Sequence, residues 1–151
     1  MERSELSAAP GLEITDGELP FTAAMRQTVR VLADAGGGAV CVVLDVPQLK
    51  YPGSHALLIA QRRRIPDDFL TVTRADALAP LQRMEGAVRA LSQAGVLRFA
   101  DPKAALCPGP TCLYKAGGRS LYFDVDHLSS AGAAYSAKAL EACFDTPNPA
   151  R

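Results

Sequence analysis

Asp124 and His127 stand three residues apart, after the β-leaning run Leu121-Tyr122-Phe123 and before the hydroxyl pair Ser129-Ser130. A turn of that span brings the carboxylate beside the imidazole. A carboxylate so placed fixes the ring tautomer and stabilises the imidazolium formed when the ring takes a proton. The pair is a candidate general base with its orienting group. The spacing alone names no reaction, because an aspartate capping a turn beside a surface histidine reads the same way. Position adds weight: strand lies on one side, helix on the other, and the polar groups sit at the join. In open α/β sheets that is where ligands bind.

Other chemistry-bearing residues point nowhere comparable. Ser54 and His55 are adjacent, so they do not face each other, and no strand-to-helix elbow presents the hydroxyl. Ser54 is not read as a nucleophile, and His55 is a loop residue. A zinc set of Cys107, Cys112, His55 and His127 fits no common ligand spacing. The glycines 36–38 follow a helical pattern, whereas phosphate-binding loops precede one; they are a plain turn. No metal and no cofactor is expected. Sixteen basic and sixteen acidic residues cancel, which excludes the basic footprint of a nucleic-acid binder. The run Arg62-Arg63-Arg64 is answered by Asp67-Asp68 and reads as a solvated face.

The elements that must position the pair follow from periodicity. Residues 1–20 carry Gly, Pro, Ser and Glu without a period and read as a linker or loop. Phe21, Met25, Val29 and Leu32 recur at helical spacing over residues 21–35. Residues 39–46 are a continuous apolar, β-branched run, as in strands covered on both faces. Residues 48–66 look like a loop. A second helix is expected over 74–94, capped by Thr73, with Leu78, Leu81, Met84, Val88 and Leu91 inward. Residues 96–100 form the next strand, which implies a right-handed parallel crossover from the first. Asp101-Pro102 ends it. A hairpin over 112–123, turning at Gly117-Gly118, delivers Asp124. Ser129 or Ser130 caps a last helix to about Cys143, with Ala133, Ala137 and Leu140 inward. Residues 146–151 are a tail.

The tight loop Pro108-Gly109-Pro110-Thr111 suits a disulfide between Cys107 and Cys112 in an oxidising compartment. Cys41 and Cys143 read as buried thiols. The longest apolar run, 39–44, is far short of the roughly 20 residues a membrane helix needs. Met1-Glu2-Arg3-Ser4-Glu5 is no signal peptide.

Taken together, Asp101-Pro102, Leu106-Cys107, Cys112-Leu113-Tyr114, Gly117-Gly118 and Leu121-Tyr122-Phe123-Asp124-x-Asp126-His127-Leu128-Ser129-x-x-Gly132-Ala133 resemble the end of one family. This is the SGNH hydrolase-type domain fused to membrane acyltransferases that O-acetylate bacterial surface polysaccharides. The likeness is close over residues 96–143 and loose over 20–143. It implies a three-layer αβα, flavodoxin-like fold in a unit spanning 21–145, lacking its early strands. It implies His127 as the base and Asp124 as its orienter in a serine-dependent O-acetyltransferase or esterase. Asp126 is then read as a capping or solvent group turned elsewhere. An acyl donor, a sugar or polysaccharide acceptor and a membrane acyltransferase module would be the partners, in the periplasm or otherwise outside the cytoplasm.

The chain departs from the family in one respect. No Gly-Asp-Ser block and no Gly-x-Asn-Asp block occurs in it, so the nucleophile and an oxyanion-hole asparagine are missing. The expectation is the carboxyl-terminal part of a longer protein, or a truncated frame, that is inactive alone. The alternative is a non-catalytic remnant that binds carbohydrate or a protein partner. An unpaired edge on the strand at 39–46 further implies a homodimer.

Overall fold

In the computed structural model the described residues are 11–36, 38–66 and 70–144. The tail at 146–151, the first half of the expected linker and the Asp67-Asp68 pair lie outside them. Helix α1 spans Pro20–Gly36. Strand β1 is Cys41–Val43, and it pairs in parallel with β3, Arg98–Ala100, in the register Cys41↔Arg98, Val42↔Phe99 and Val43↔Ala100. The expected strand–helix–strand crossover is present, with shorter strands than the apolar runs suggested. Mixed helix and small sheets make up the rest, in keeping with an α/β class.

Between β1 and β3 lie α2, Gly53–Arg63; β2, Val72–Thr73; α3, Arg74–Leu78; and α4, Gln82–Gln93. Helix α2 corrects the loop expected over 48–66. Pro52 fixes the entry backbone, and the run from Ala56 to Arg63 consists largely of good helix formers. Arg64, at φ 52°, closes the helix in the left-handed region. The single helix expected over 74–94 is instead broken by a 3-10 turn at Ala79–Leu81. Pro80 has no N–H to give and crowds the preceding turn. Thr73 does cap α3, its hydroxyl accepting from the Asp76 amide.

Beyond β3 come α5, Lys103–Leu106; β4, Thr111–Cys112, antiparallel to β2; and the hairpin β5, Lys115–Ala116, with β6, Arg119–Ser120. The hairpin turns at Gly117 and Gly118, both at positive φ. Helix α6, Ser130–Ser136, a 3-10 turn at Ala137–Leu140, and α7, Glu141–Phe144, end the described chain.

One apolar cluster joins α1 and α4 to the parallel pair through Val29, Leu44, Val88, Leu91 and Leu97. A second lies under the Asp124 segment, with Leu49, Ala56, Leu106, Tyr114, Leu121 and Tyr122. Met84, expected inward, is exposed, as are Phe21 and Leu32 at the helical spacing of α1. The inward face of the last helix is also shifted by one position. Gly132 and Ser136 are buried, whereas Ala133, Ala137 and Leu140 are exposed. Strand β1 is not covered on both faces, since Val43 is 53% exposed.

Cys41 and Cys143 are not thiols. They form a disulfide across a sequence separation of 102 residues, tying α7 to β1, and neither is buried. Cys107 and Cys112 are also bridged.

Candidate functional site

The Phe123–His127 turn is held from two sides, and this fixes where its side chains stand. On one side, the chain leaving the carboxyl end of β1 passes beneath it. The Leu49 amide donates to the Val125 carbonyl at 2.7 Å, the Gly53 amide to the Asp124 carbonyl at 3.0 Å, and the Ser54 hydroxyl to the Phe123 carbonyl at 3.1 Å. A side chain at Gly53 would meet Ser120 Oγ and Tyr122 Cβ, each at 2.8 Å. Bare backbone is what lets α2 start this close.

On the other side stands α6. Ser129 Oγ accepts from the Gly132 amide at 3.2 Å and donates to the Ser120 carbonyl at 2.6 Å, so one hydroxyl caps the helix and pins the hairpin. A Cβ at Gly132 would collide with the Leu121 carbonyl. That close approach requires a glycine at the inward position and sets Gly132 there. Across the turn, the Phe123 amide donates to the His127 carbonyl at 2.8 Å.

Within the turn, Asp124 uses its two oxygens differently. Oδ1 accepts from the Asp126 amide at 3.0 Å and the His127 amide at 2.8 Å and lies 3.1 Å from His127 Nδ1, while Oδ2 lies nearer that nitrogen, at 2.8 Å. The carboxylate is thus fixed by backbone before it meets the ring. The Asp126 amide above all, with the His127 amide and the imidazole, holds the Asp124 carboxyl down at about 2, against the smaller opposing effect of desolvation. His127 is pushed up, chiefly by its hydrogen bond to Asp124 and then by the charges of Asp124 and Asp126.

The two shifts have opposite consequences for stability. A depressed carboxylate stabilises the fold above its unfolded pKa, and that contribution is lost as pH falls toward 2. A raised imidazole stabilises below the unfolded value of 6.5, and that contribution is lost as pH rises through the folded pKa.

The sequence expectation brought Asp124 and His127 together, and the structure places them so. It sent Asp126 elsewhere, and that is corrected: Asp126 Oδ1 lies 3.0 Å from the same Nδ1. A carboxylate one residue before a histidine has no helical or strand spacing to mark it, so only the turn reveals the contact. The roles of Gly53 and Ser54 were equally silent, because their partners lie about seventy positions away.

The His127 side chain is 75% exposed. With Nδ1 facing two carboxylates, Nε2 is the nitrogen left to take a proton. The donor atoms of Asp124, Asp126 and His127 lie within 4.8 Å of one another. Both carboxylates are turned on the imidazole. The zinc set considered from the sequence is unavailable, since Cys107 and Cys112 are bonded to each other. Ser54 gives its proton to a carbonyl and stays unactivated. His55 lines an apolar cleft of about 200 Å³ with Tyr51, Pro52, Ala56 and Ile59, at the start of α2. No helix among the described residues is long and apolar enough to cross a membrane.

A family model for the SGNH domain (fused to AT3 domains) matches residues 3–142. No match was found among curated proteins. Among solved structures, the periplasmic domain of a lipopolysaccharide acetyltransferase from Salmonella ser. Paratyphi A superposes with a TM-score of 0.62 at 12% identity. The match covers 82% of this chain and 48% of that one, so the chain spans about half the length of the structure it resembles.

Proposed function

The chain belongs to the SGNH domain family (fused to AT3 domains), and from that premise we propose that it carries the base side of an acyl-transfer site acting on polysaccharide. In this reading His127 Nε2 removes the proton of a serine hydroxyl as that oxygen attacks an acyl carbonyl, and later protonates the leaving oxygen. Asp124 positions the ring. The carrying observation is the 2.8 Å contact from Asp124 Oδ2 to Nδ1, with Oδ1 anchored by two amides.

The serine is proposed to come from outside these 151 residues, which hold no Gly-Asp-Ser block. The early strands of a three-layer αβα, flavodoxin-like domain would come with it, and the unit would span 21–145. The acyl donor would arrive through a membrane acyltransferase module. The acceptor would be a sugar hydroxyl of a bacterial cell-surface polysaccharide. A periplasmic or other extracytoplasmic setting is supported by the bonding of all four cysteines.

The isolated chain is therefore expected to hydrolyse a chromogenic acetate ester no faster than its His127→Ala variant. Saturable turnover that disappears with His127→Ala would show a nucleophile within the chain and overturn this division of labour. The missing block also favours a second reading, a non-catalytic domain binding carbohydrate or a protein partner through the same crevice.

Strand β1 has one partner, β3, among the described residues. Its other edge and the exposed Val43 invite pairing with a second copy. Sedimentation should show concentration-dependent dimers that Val43→Lys abolishes. A monodisperse monomer at all concentrations would remove the dimer from the account.

A further inference from the structure

We propose that Asp126 is a second positioning residue for His127, its carboxylate joining that of Asp124 beside Nδ1. The inference rests on the reading of His127 as a base. An orienting carboxylate works best where water cannot compete, yet this ring is 75% exposed. Single exposed ion contacts hold geometry weakly. A ring so exposed owes its orientation chiefly to the polar groups at Nδ1.

Asp124 meets Nδ1 with Oδ2 at 2.8 Å and Oδ1 at 3.1 Å, but the two oxygens are not equally free for that task. Its Oδ1 already accepts two backbone amides. Asp126 Oδ1, at 3.0 Å from Nδ1, brings a second carboxylate to ion-pair distance of the same nitrogen. A ring motion that breaks one contact keeps the other. Both favour the tautomer with the proton on Nδ1, which leaves the Nε2 lone pair outward for substrate. The Asp126 amide, bound to Asp124 Oδ1, sets the backbone so that the two carboxylates converge.

The charged groups acting on the ring are Asp124 and Asp126, and both raise its affinity for a proton. The segment packed against the turn carries Lys50, placed over the Tyr51 ring at 5.3 Å, and His55. Helix α6, on the other side, presents the uncharged Ser129 cap.

The chain has two histidines, so proton and nitrogen NMR of the imidazoles resolves both, with His55 as the internal control. Wild type, Asp124→Asn, Asp126→Asn and the double variant are compared across pH. Asp126→Asn is expected to shift the His127 midpoint downward and to lower the ratio of Nδ1-protonated to Nε2-protonated neutral ring about threefold, with His55 unmoved. Asp124→Asn should do more, and the double variant most. Asp126→Ser makes the same comparison should the amide disturb the turn. If Asp126 variants leave midpoint and tautomer unchanged while Asp124→Asn alters them, this proposal is wrong and the base reading stands. If Asp124→Asn is also without effect, both fail.

Discussion

Replacing Cys41 and Cys143 together by serine is expected to lower the unfolding free energy by about 4–5 kcal/mol, because the lost disulfide closes a loop of roughly 100 residues. The effect acts mainly on the unfolded chain, which the bond would otherwise restrain. The folded side contributes too, since α7 packs on β3 and is tied to β1 through this bond. The double serine variant should melt roughly 10–15 °C lower. By contrast, Cys107 and Cys112 are five positions apart. Breaking that bond should cost about 2 kcal/mol on the same chain-entropy account. Calorimetry of the two paired variants gives the comparison. A Cys41/Cys143 variant as stable as the parent would mean that the carboxyl-terminal helix adds little to the fold.

Replacing Lys103 by methionine is expected to cost about 3 kcal/mol, the low end of the penalty for breaking a buried ion pair, because Arg89 still meets both Glu85 and Asp101. The Lys103 side chain is 5% exposed. Its Nζ lies 2.7 Å from Glu85 Oε1 and 2.8 Å from Asp101 Oδ1, and it reaches the Asp45 carbonyl at 3.4 Å. The Glu85 contact is an ion pair lacking hydrogen-bond alignment, which leaves Oε1 wholly dependent on the nearby ammonium.

Arg89 holds the far side of Asp101 at 2.7 Å. Lys103 and Arg89 pull the Asp101 carboxyl below its ordinary value against desolvation, which is the largest single influence on it. The cluster joins α4 to the carboxyl ends of β1 and β3, so it braces the rim on which the Asp124 turn sits. Urea titration should show the loss in Lys103→Met. Adding Glu85→Met should recover part of it, because the carboxylate left with only the 3.6 Å contact to Arg89 goes too. Equal stability of Lys103→Met and the parent would show that the buried charges are better solvated than their exposure implies.

What was legible in the sequence was local. Asp124 and His127 are three apart, so one turn decides their contact. Thr73 and Ser129 cap helices through amides three residues on. The apolar runs on either side of a helical pattern gave the parallel β1–β3 pair. What escaped depends on distant residues. Nothing near Cys41 announces a partner 102 positions later. The Pro-Gly-Ser run opening α2 looks like loop until Gly53 is seen to sit against Tyr122.

Periodicity found the apolar stripe of α1 but not how much of it the fold covers. In α6 the inward face follows the approach of the Leu121 carbonyl to Gly132, a contact that hydrophobicity does not encode. Asp126 was misplaced for the opposite reason. Its neighbour is so close that only the geometry of the turn decides whether the two side chains converge.

The account stands on His127 serving as the base for acyl transfer to polysaccharide. Its most direct test is the O-acetyl content of the cell-surface polysaccharide in cells whose own gene carries His127→Ala. Little packing is lost with the ring, because this side chain is largely open to solvent, and the level of the variant protein controls for folding. The account predicts that O-acetylation falls about 100-fold or more, as removal of a general base requires. Unchanged O-acetyl content with the variant protein present at normal levels would contradict it.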